Sequence, residues 1–250
     1  MLRSMHDLTH YTLGATDGDI GEVKDVYFDD ATWVIRYFVV ETGSWLKSRR
    51  VLISTQSIQH CDDETRQLTL SITREQVKAS PDIDTHKPVS RQHEMDHLGY
   101  YGYPYYWGTG GLWNSARADA SAPDKVIEPK DNLRLRSGQQ VSGYHIQATD
   151  GEIGHVDSLL INDASWAVQY LVVNTSNWWV GHKVLIAPEW TEAVSWEEQK
   201  VFLDLDRASI QASPAYDEAV ALSREHETVL YAHYQRTVYW SVETRTDRSH

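Results

Sequence analysis

The chain of 250 residues consists largely of one sequence unit that occurs twice. The segment ATDGDIGEV begins at Ala15, and ATDGEIGHV begins 133 residues later, at Ala148. The same offset relates residues 2–107 to residues 135–240 without a gap. A period this long exceeds the repeat length of solenoid proteins, so the pattern predicts a duplicated domain.

Residues 108–134, between the two copies, differ from both in composition. They are rich in Gly, Ala, Ser and Pro, which are typical of a flexible connection. The sequence therefore predicts a first domain at residues 1–107, a linker at 108–134 and a second domain at 135–250.

The first part of each copy has the pattern of short β-strands. Asp17-Gly18 and Asp150-Gly151 lie between extended segments, which favours a hairpin whose two turn residues both have positive φ. Residues 33–41 and 166–174 are apolar at almost every position, as expected for a central strand that is covered on both faces. The roughly six short strands in each copy favour a small barrel or closed sheet.

Short helices are predicted after the strands of each copy. Thr73 and Gln76 have the spacing of a capping box, and Asp206 is suited to cap the matching helix of the second copy. Later helices are expected around residues 90–98 and 223–235. The predicted fold is therefore mainly β, with two tandem six-stranded barrels, each followed by short helices.

Three motifs, which occur in the same order in both copies, together resemble the PRC-barrel family. They are a D-G-x-I-G hairpin, a W-x-[IV]-x-Y-x-V-V strand and a V-L-I strand. In the first copy they comprise Asp17, Gly18, Ile20, Gly21, Trp33, Tyr37, Val39, Val40 and residues 51–53. In the second copy they comprise Asp150, Gly151, Ile153, Gly154, Trp166, Tyr170, Val172, Val173 and residues 184–186. The aspartates and glycines of the hairpins are interpreted as structural.

The resemblance implies a PRC-type six-stranded β-barrel that binds partners and has no chemistry or cofactor of its own. Such domains occur in the H subunit of photosynthetic reaction centres and in ribosome-maturation factors. The favoured function is a non-catalytic binding or scaffold protein that contacts an unidentified protein partner. Two alternatives stay open: a peripheral subunit of a reaction-centre-like electron-transfer assembly, and an accessory factor for ribosome or RNA maturation.

Residues 93–97 read H-E-M-D-H, a spacing that places two zinc ligands and a general base on one helix turn. The second copy reads H-E-T-V-L at the same place, so His97 corresponds to an ordinary apolar residue, Leu230. His93, His97 and Tyr101 are therefore interpreted as one helix face that packs on the strands. No catalytic residue and no metal ligand is assigned.

Two loops, at residues 43–50 and 176–183, and an aromatic tail at residues 99–113 are the candidates for an interaction surface. Each loop joins tryptophan to basic residues, a composition that is common at binding hot spots. The alternative is that the tryptophan folds back onto the sheet and that the tail packs on its own domain. The candidate residues are Trp45, Arg49, Arg50, Trp178, Trp179, His182, Lys183, Tyr105, Tyr106 and Trp107.

Charge and composition limit the remaining classes of function. The net charge of −13 argues against nonspecific binding to nucleic acid and against docking on an anionic membrane. The apolar runs are too short for an integral membrane segment, and no apolar signal region is present near the start. With Cys61 as the single cysteine, a cytoplasmic protein is expected. The aromatic surfaces predict a homodimer.

Overall fold

The computed structural model describes residues 1–81, 89–107, 135–175 and 182–240. The chain divides into two compact units. One unit contains Asp7–Ser137, and the other contains Met1–His6 together with Gly138–His250. The predicted linker at 108–134 lies outside the described residues.

Most of the regular structure is β, with one seven-stranded sheet in each unit. The first seven strands are β1 (Leu2–Ser4), β2 (Thr12–Ala15), β3 (Gly18–Asp29), β4 (Val34–Thr42), β5 (Arg50–Ser54), β6 (Ile58–Asp62) and β7 (Gln67–Leu70). The next seven are β8 (Leu135–Ser137), β9 (His145–Ala148), β10 (Gly151–Asn162), β11 (Val168–Asn174), β12 (Lys183–Ile186), β13 (Thr191–Ser195) and β14 (Lys200–Leu203). The two sets match strand for strand, as the duplication predicts.

The helices are short. They are α1 (Met5–Leu8), α2 (Arg74–Ala79), α3 (Arg91–Tyr101), α4 (Gly138–Val141), α5 (Arg207–Gln211) and α6 (Arg224–His233). Thr73 and Gln76 make both hydrogen bonds of a capping box at α2, and Asp206 caps α5, so the predicted caps are confirmed. None of the helices in the described part of the chain combines the length and the apolar character needed to cross a membrane.

The two sheets have the same strand order. It is β5-β4-β3-β2-β7-β6 in one unit and β12-β11-β10-β9-β14-β13 in the other. Within the described residues, β5 and β6 end the first order, β12 and β13 end the second, and a further strand joins each sheet from the side. The mainly β fold with short helices is confirmed. The strand pairings do not show the closed six-stranded barrel that the sequence predicts.

The additional strand of each sheet comes from the other copy of the sequence unit. β1 pairs with β10, and β8 pairs with β3, both in antiparallel orientation. The registers are equivalent, since Leu2 faces Asn162 in one sheet and Leu135 faces Asp29 in the other. The compact units therefore differ from the two copies of the sequence, because each copy places its first strand in the sheet of the other.

Two glycines of the duplicated hairpin are required by a close approach of strands. A Cβ atom on Gly21 would lie 2.0 Å from the carbonyl oxygen of Glu41, and one on Gly154 would lie 2.1 Å from that of Asn174. Both distances are far shorter than a van der Waals contact. Only a residue without a side chain therefore lets β3 and β10 approach their neighbouring strands this closely at these points.

The aspartates of the hairpins connect each turn to the helix that follows the sheet. Asp17 accepts a hydrogen bond from the backbone N–H of Arg74 at 2.7 Å, and Asp150 accepts one from Arg207 at 2.9 Å. Positive φ occurs at the glycine after each aspartate, but not at the aspartates. The prediction that both turn residues adopt positive φ is therefore wrong.

The core of the first unit is centred on β4, which lies between β3 and β5. Ile35, Phe38 and Val40 of this strand are 0% exposed, and Tyr37 is 1% exposed. Because neighbouring residues of a strand point to opposite faces, both faces of β4 are covered. This confirms the expectation of a central strand, and it places Tyr37 beneath the helix that carries the H-E-x-x-H sequence.

Candidate functional site

The helix after each sheet packs one face onto its unit. The buried residues of α3 are Glu94, His97 and Leu98, and those of α6 are their counterparts Glu227, Leu230 and Tyr231. His93 is exposed, so the predicted face of His93, His97 and Tyr101 is wrong at its first member. The packed face instead begins at Glu94 and follows the i, i+3, i+4 spacing of a helix.

The two histidines of the H-E-x-x-H sequence lie in different environments. His93 is exposed, whereas His97 is 1% exposed and its Nε2 atom lies 3.0 Å from the carbonyl oxygen of Leu52. Burial lowers the pKa of His97. Over the described residues, no group of three His, Cys, Asp or Glu side chains is placed to hold a metal ion. The contacts of His97 are those of a packed side chain.

Glu94 lies at the centre of a buried polar group, here called the Glu94 cluster, which consists of Tyr37, Arg91, Glu94, Tyr106 and Trp107. Oε2 of Glu94 accepts hydrogen bonds from the Tyr106 hydroxyl at 2.5 Å and from the Tyr37 hydroxyl at 3.5 Å. Oε1 forms an ion pair with Nη1 of Arg91 at 3.1 Å. The Arg91 guanidinium lies 3.9 Å from the ring centre of Trp107. The cluster thus joins α3 to β4 and to the aromatic tail.

Burial controls the ionisation of the Glu94 cluster. It raises the pKa of Glu94 to about 7, although the Tyr106 hydrogen bond and the Arg91 charge act in the opposite direction. Burial, and then the charge of Glu94, raise the pKa values of Tyr37 and Tyr106 well above the usual tyrosine value. Around neutral pH, the carboxyl group is therefore the member of this hydrogen-bonded trio that changes its charge.

The second copy contains the same arrangement, here called the Glu227 cluster, which consists of Tyr170, Arg224, Glu227, Tyr239 and Trp240. Oε1 of Glu227 accepts hydrogen bonds from Tyr170 at 2.8 Å and from Tyr239 at 3.2 Å. Arg224 lies 3.3 Å from Oε2 and 4.3 Å from the Trp240 ring centre. The arginines differ in environment, since the side chain of Arg224 is 62% exposed and that of Arg91 only 13%.

Both clusters are suited to fasten a helix to a sheet rather than to act on a substrate. The side chains of Glu94 and Glu227 are 1% and 5% exposed, and their oxygens are occupied by tyrosine and arginine. A general acid or base must reach the proton that it transfers, and these carboxyl groups are enclosed. A buried polar network with satisfied hydrogen bonds stabilises one particular packing instead.

The loop with Trp45 folds back against the hairpin of its own unit. The Trp45 indole donates a hydrogen bond to the carbonyl oxygen of Ile20 at 2.7 Å, and the Arg74 guanidinium lies 4.4 Å from the centre of its ring. Arg49 is half-buried and accepts hydrogen bonds from Thr42 through its backbone carbonyl. Arg50 is exposed at the start of β5 and is the candidate residue of this loop that is accessible to a partner.

The equivalent loop of the second copy is described only in part. Trp178 and Trp179, which the sequence places on the candidate surface, lie outside the described residues. His182 is half-buried, and its backbone carbonyl accepts a hydrogen bond from the Thr175 hydroxyl at 2.9 Å. Lys183 forms ion pairs with Asp157 at 2.8 Å and with Glu218 at 2.9 Å. The charge of Lys183 is therefore already paired within its unit.

The aromatic tail contains both packed and exposed side chains. Tyr106 belongs to the Glu94 cluster through its hydroxyl group, and the Arg36 guanidinium lies 4.0 Å from the centre of its ring. Trp107 packs against Arg91 and stacks on Tyr105 at 5.2 Å. Tyr105 is 40% exposed, so it is available for a contact outside the unit.

An apolar groove with a volume of about 300 Å³ lies beside α6 and β12. Its walls include Leu185, Leu222 and Leu230. Val220 and Val229, here called its rim, also line it and are 51% and 56% exposed, while Asp217 and His226 are polar members of the lining. The sequence gives no direct sign of this groove, although at Val220, Val229 and Leu230 the first copy has polar residues instead.

Comparison with known proteins identifies the first sheet. A PRC-barrel domain is found at residues 6–77. The sheet that follows has the same strand order, which is consistent with a tandem arrangement of two such domains. No match to the chain was found among curated proteins.

Proposed function

We propose that this protein is a non-catalytic interaction module whose partner binds the apolar groove beside α6. The PRC-barrel domain at residues 6–77 supports a binding role, since the resemblance to this family implies no chemistry for the domain. The Glu94 and Glu227 clusters support the same view, because their carboxyl groups are used in packing. Each sheet is interpreted as the barrel-type unit of the family with one strand added.

The observation that carries the proposal is the exposed apolar rim of the groove. Val220 and Val229 are each more than half exposed, and they line the groove together with the buried side chains Leu185 and Leu230. A contiguous apolar surface that is open to water is typical of a protein contact site. An apolar side chain of a partner would bury both valines when it enters the groove.

The duplication supplies an internal comparison for this surface. Val220 corresponds to Lys87 and Val229 corresponds to Asp96 in the first copy. Leu230, on the groove wall, corresponds to His97. The rim positions are therefore apolar in one copy and charged in the other. We expect the partner to bind the second unit, because burying an unpaired charge at the rim would be unfavourable.

The test replaces the apolar rim with the residues of the first copy. The full chain and its Val220→Lys/Val229→Asp variant are immobilised, and the proteins that each retains from native lysate are measured by quantitative mass spectrometry. Because both positions are exposed, we expect the variant to fold normally. Partner proteins should be at least about tenfold depleted on the variant, which corresponds to about 1.4 kcal/mol of binding free energy.

Two further variants serve as controls. Glu225→Ala changes an exposed residue of α6 and should retain the same proteins as the wild type. Arg50→Glu changes the accessible residue of the Trp45 loop. If Arg50→Glu releases the partner and the rim variant does not, the loop is the contact site and the groove is not.

The narrower roles that the sequence leaves open are separated by the same experiment. A reaction-centre-like assembly predicts membrane redox proteins among the retained partners, whereas ribosome or RNA maturation predicts ribosomal proteins. The net charge of −13 disfavours direct binding to RNA. The proposed homodimer is tested independently by light scattering, where a strict monomer would exclude it.

A further inference from the structure

The exchanged strands β1 and β8 are held in place by equivalent ion pairs. The Arg3 guanidinium lies 2.8 Å from the Asp163 carboxylate in one unit. The Arg136 guanidinium lies 3.0 Å from the Asp30 carboxylate in the other. Both arginines are the central residue of an L-R-S strand, and both aspartates directly follow the strand that accepts it.

The serine of each exchanged strand makes a second, buried contact. Ser137 donates a hydrogen bond to Asp25 at 2.5 Å, and the hydroxyl oxygens of Ser4 and Ser158 are 3.2 Å apart. Ser158 is 0% exposed, and Asp25 is 9% exposed. Removal of a strand would break both contacts, so they favour the paired strand.

The leucine of β8 completes the apolar core of the unit that receives it. Leu135 is 7% exposed and packs in one cluster with Tyr37, Val39, Leu52, Val89 and Leu98. Tyr106 and Trp107 of the aromatic tail pack against the same cluster. The strand supplied by the second copy therefore covers part of the core formed by the first.

We propose that the edge at residues 27–29 of β3, and the equivalent edge at residues 160–162 of β10, form an assembly surface that binds the L-R-S strand of another PRC-type repeat. In this chain the partner is the other copy of the unit. The two halves then form a strand-exchanged complex that persists without the covalent connection at residues 108–134. The connection only raises the local concentration of each strand.

Strand exchange is independent of the external partner proposed above, because it concerns pairing within the chain. It also differs from a simple tandem of two closed domains. If each copy kept its own first strand, a cut between the copies would leave no sheet shared by the two fragments. With exchanged strands, the cut leaves each fragment contributing to both sheets.

The test uses the full chain with a specific protease site inserted near residue 120. The protein is cut, and the products are examined at low micromolar concentration by native mass spectrometry and size-exclusion chromatography. We expect the cut wild type to remain a 1:1 complex of its two halves. In the cut Arg3→Asp/Arg136→Asp variant, we expect the halves to dissociate at least about tenfold faster, since both ion pairs become repulsive.

A charge-reversal variant tests whether the paired side chains are responsible. Addition of Asp30→Arg and Asp163→Arg to the double variant restores opposite charges at both contacts, and should recover most of the association. Lys24→Glu is the control, since it changes a partly exposed charge that forms ion pairs with Glu22 and Glu41. The halves of the cut Lys24→Glu variant should dissociate as slowly as those of the wild type. Circular dichroism of the uncut proteins verifies folding. If the aspartate variant does not fold, the milder Arg3→Gln/Arg136→Gln variant replaces it, with faster dissociation again expected.

Two outcomes would overturn the proposal. One is separation of the wild-type halves upon cutting, which would show that the exchanged strands do not hold them. The other is a cut variant that stays associated as tightly as the wild type, which would assign the association to other contacts. A failure to find a partner of the groove would contradict only the function proposed above, because the association of the two halves is measured separately.

Discussion

The two copies of the unit retain the same buried carboxyl cluster but differ one helical turn further on. In the first copy, His97 contacts the Leu52 carbonyl oxygen and packs near the rings of Tyr37 and Tyr101. In the second copy, Leu230 replaces the histidine and lines the apolar groove. The contacts that fasten the helix are thus common to both copies, while the neighbouring surface has changed from a polar packing site to an apolar groove.

The two copies also distinguish the contacts that both retain from the contacts that differ. Leu52 and Leu185 are equivalent, but a histidine contacts the first, whereas the second lines the groove. The Arg–Glu pair is present in both copies, although it is enclosed in one and open to water in the other. Helix attachment therefore depends on the carboxyl cluster, and the identity of residue 97 or 230 determines the adjacent surface.

The largest expected effect concerns Gly21 and Gly154, where neighbouring strands approach closely. Gly21→Ala and Gly154→Ala would both place a Cβ atom about 2 Å from a carbonyl oxygen. Gly154 also has a φ of 115°, which an alanine rarely adopts. We expect Gly21→Ala to lower the free energy of unfolding by about 3 kcal/mol and Gly154→Ala by about 4 kcal/mol, measured by urea denaturation.

Gly43→Ala is the control for this pair. A Cβ atom at Gly43 would meet its nearest neighbour, a carbon of the Trp45 ring, at 3.8 Å, an ordinary contact. The free energy of unfolding should change by less than about 1 kcal/mol. Equal stability of the Gly21→Ala and Gly43→Ala variants would show that β3 and β4 move apart at low cost, contrary to the proposed steric requirement.

The next effect concerns the pH dependence that Glu94 gives to the first copy. Its pKa rises from 4.5 to about 7 on folding, so the folded protein keeps a proton that the unfolded chain has lost. The stabilisation from this proton is fully present below pH 4.5 and is lost as the pH rises to about 7, by at most about 3 kcal/mol. Glu94→Gln should remove this loss, as measured by denaturation between pH 4.5 and 8.

The groups around Glu94 that influence its charge are Tyr37, Tyr106, Arg91, Arg36 and Asp29. They are unchanged in Glu94→Gln, so the difference between the two proteins isolates the carboxyl group. An identical dependence of stability on pH in both proteins would contradict the raised pKa. Measurement in a His97→Leu background removes the opposite pH effect of the neighbouring histidine.

A smaller effect is expected from the arginines of the two clusters. Arg91→Ala leaves Glu94 buried without its ion pair, and we expect a loss of about 2 kcal/mol at pH 8. Arg224→Ala should cost less than about 1 kcal/mol, because the side chain of Arg224 is 62% exposed and water can replace it. Thermal denaturation of both variants measures the difference. Equal losses would show that exposure does not distinguish the two pairs.

The smallest effect is expected from His97→Leu, which gives the first copy the residue of the second. Burial lowers the pKa of His97, so its contribution to stability is present above its ordinary value of 6.5 and is lost as the pH falls below it. The variant should change stability by less than about 1 kcal/mol at pH 7.5. It should also lose less stability at pH 5.5, and a larger loss would contradict the lowered pKa.

Much of the fold follows from local sequence patterns. The repeat predicted two equivalent sheets, the apolar run at residues 33–41 predicted a central strand, and Thr73 with Gln76 predicted a helix cap. The second copy was sufficient to discount the zinc-like spacing, but it did not indicate that His93 is exposed. His93 and His97 are four residues apart, which is slightly more than one helical turn, so their side chains point in different directions. His93 therefore lies outside the buried face formed by Glu94, His97 and Leu98.

The candidate site was less predictable, because its parts are distant in sequence. Tyr37 and Glu94 are 57 residues apart, and in the sequence they belong to two separate motifs. The groove required the structure as well. Val220 and Val229 are ordinary apolar residues in the sequence, and only the structure shows that both are exposed beside one groove.

The sequence by itself determined the duplication, most of the strands, the helix caps and the hairpin glycines, because each is marked by a short pattern that recurs in the second copy. Only the tertiary structure decided which sheet receives each L-R-S strand. The strand has the same sequence in both copies, and each acceptor edge offers the same aspartate, Asp30 or Asp163. Backbone hydrogen bonds do not distinguish two identical donors. The acceptor edges differ in the residue that meets the serine, Asp25 in one and Ser158 in the other, and in the packing around Leu135, contacts that only the tertiary structure brings together.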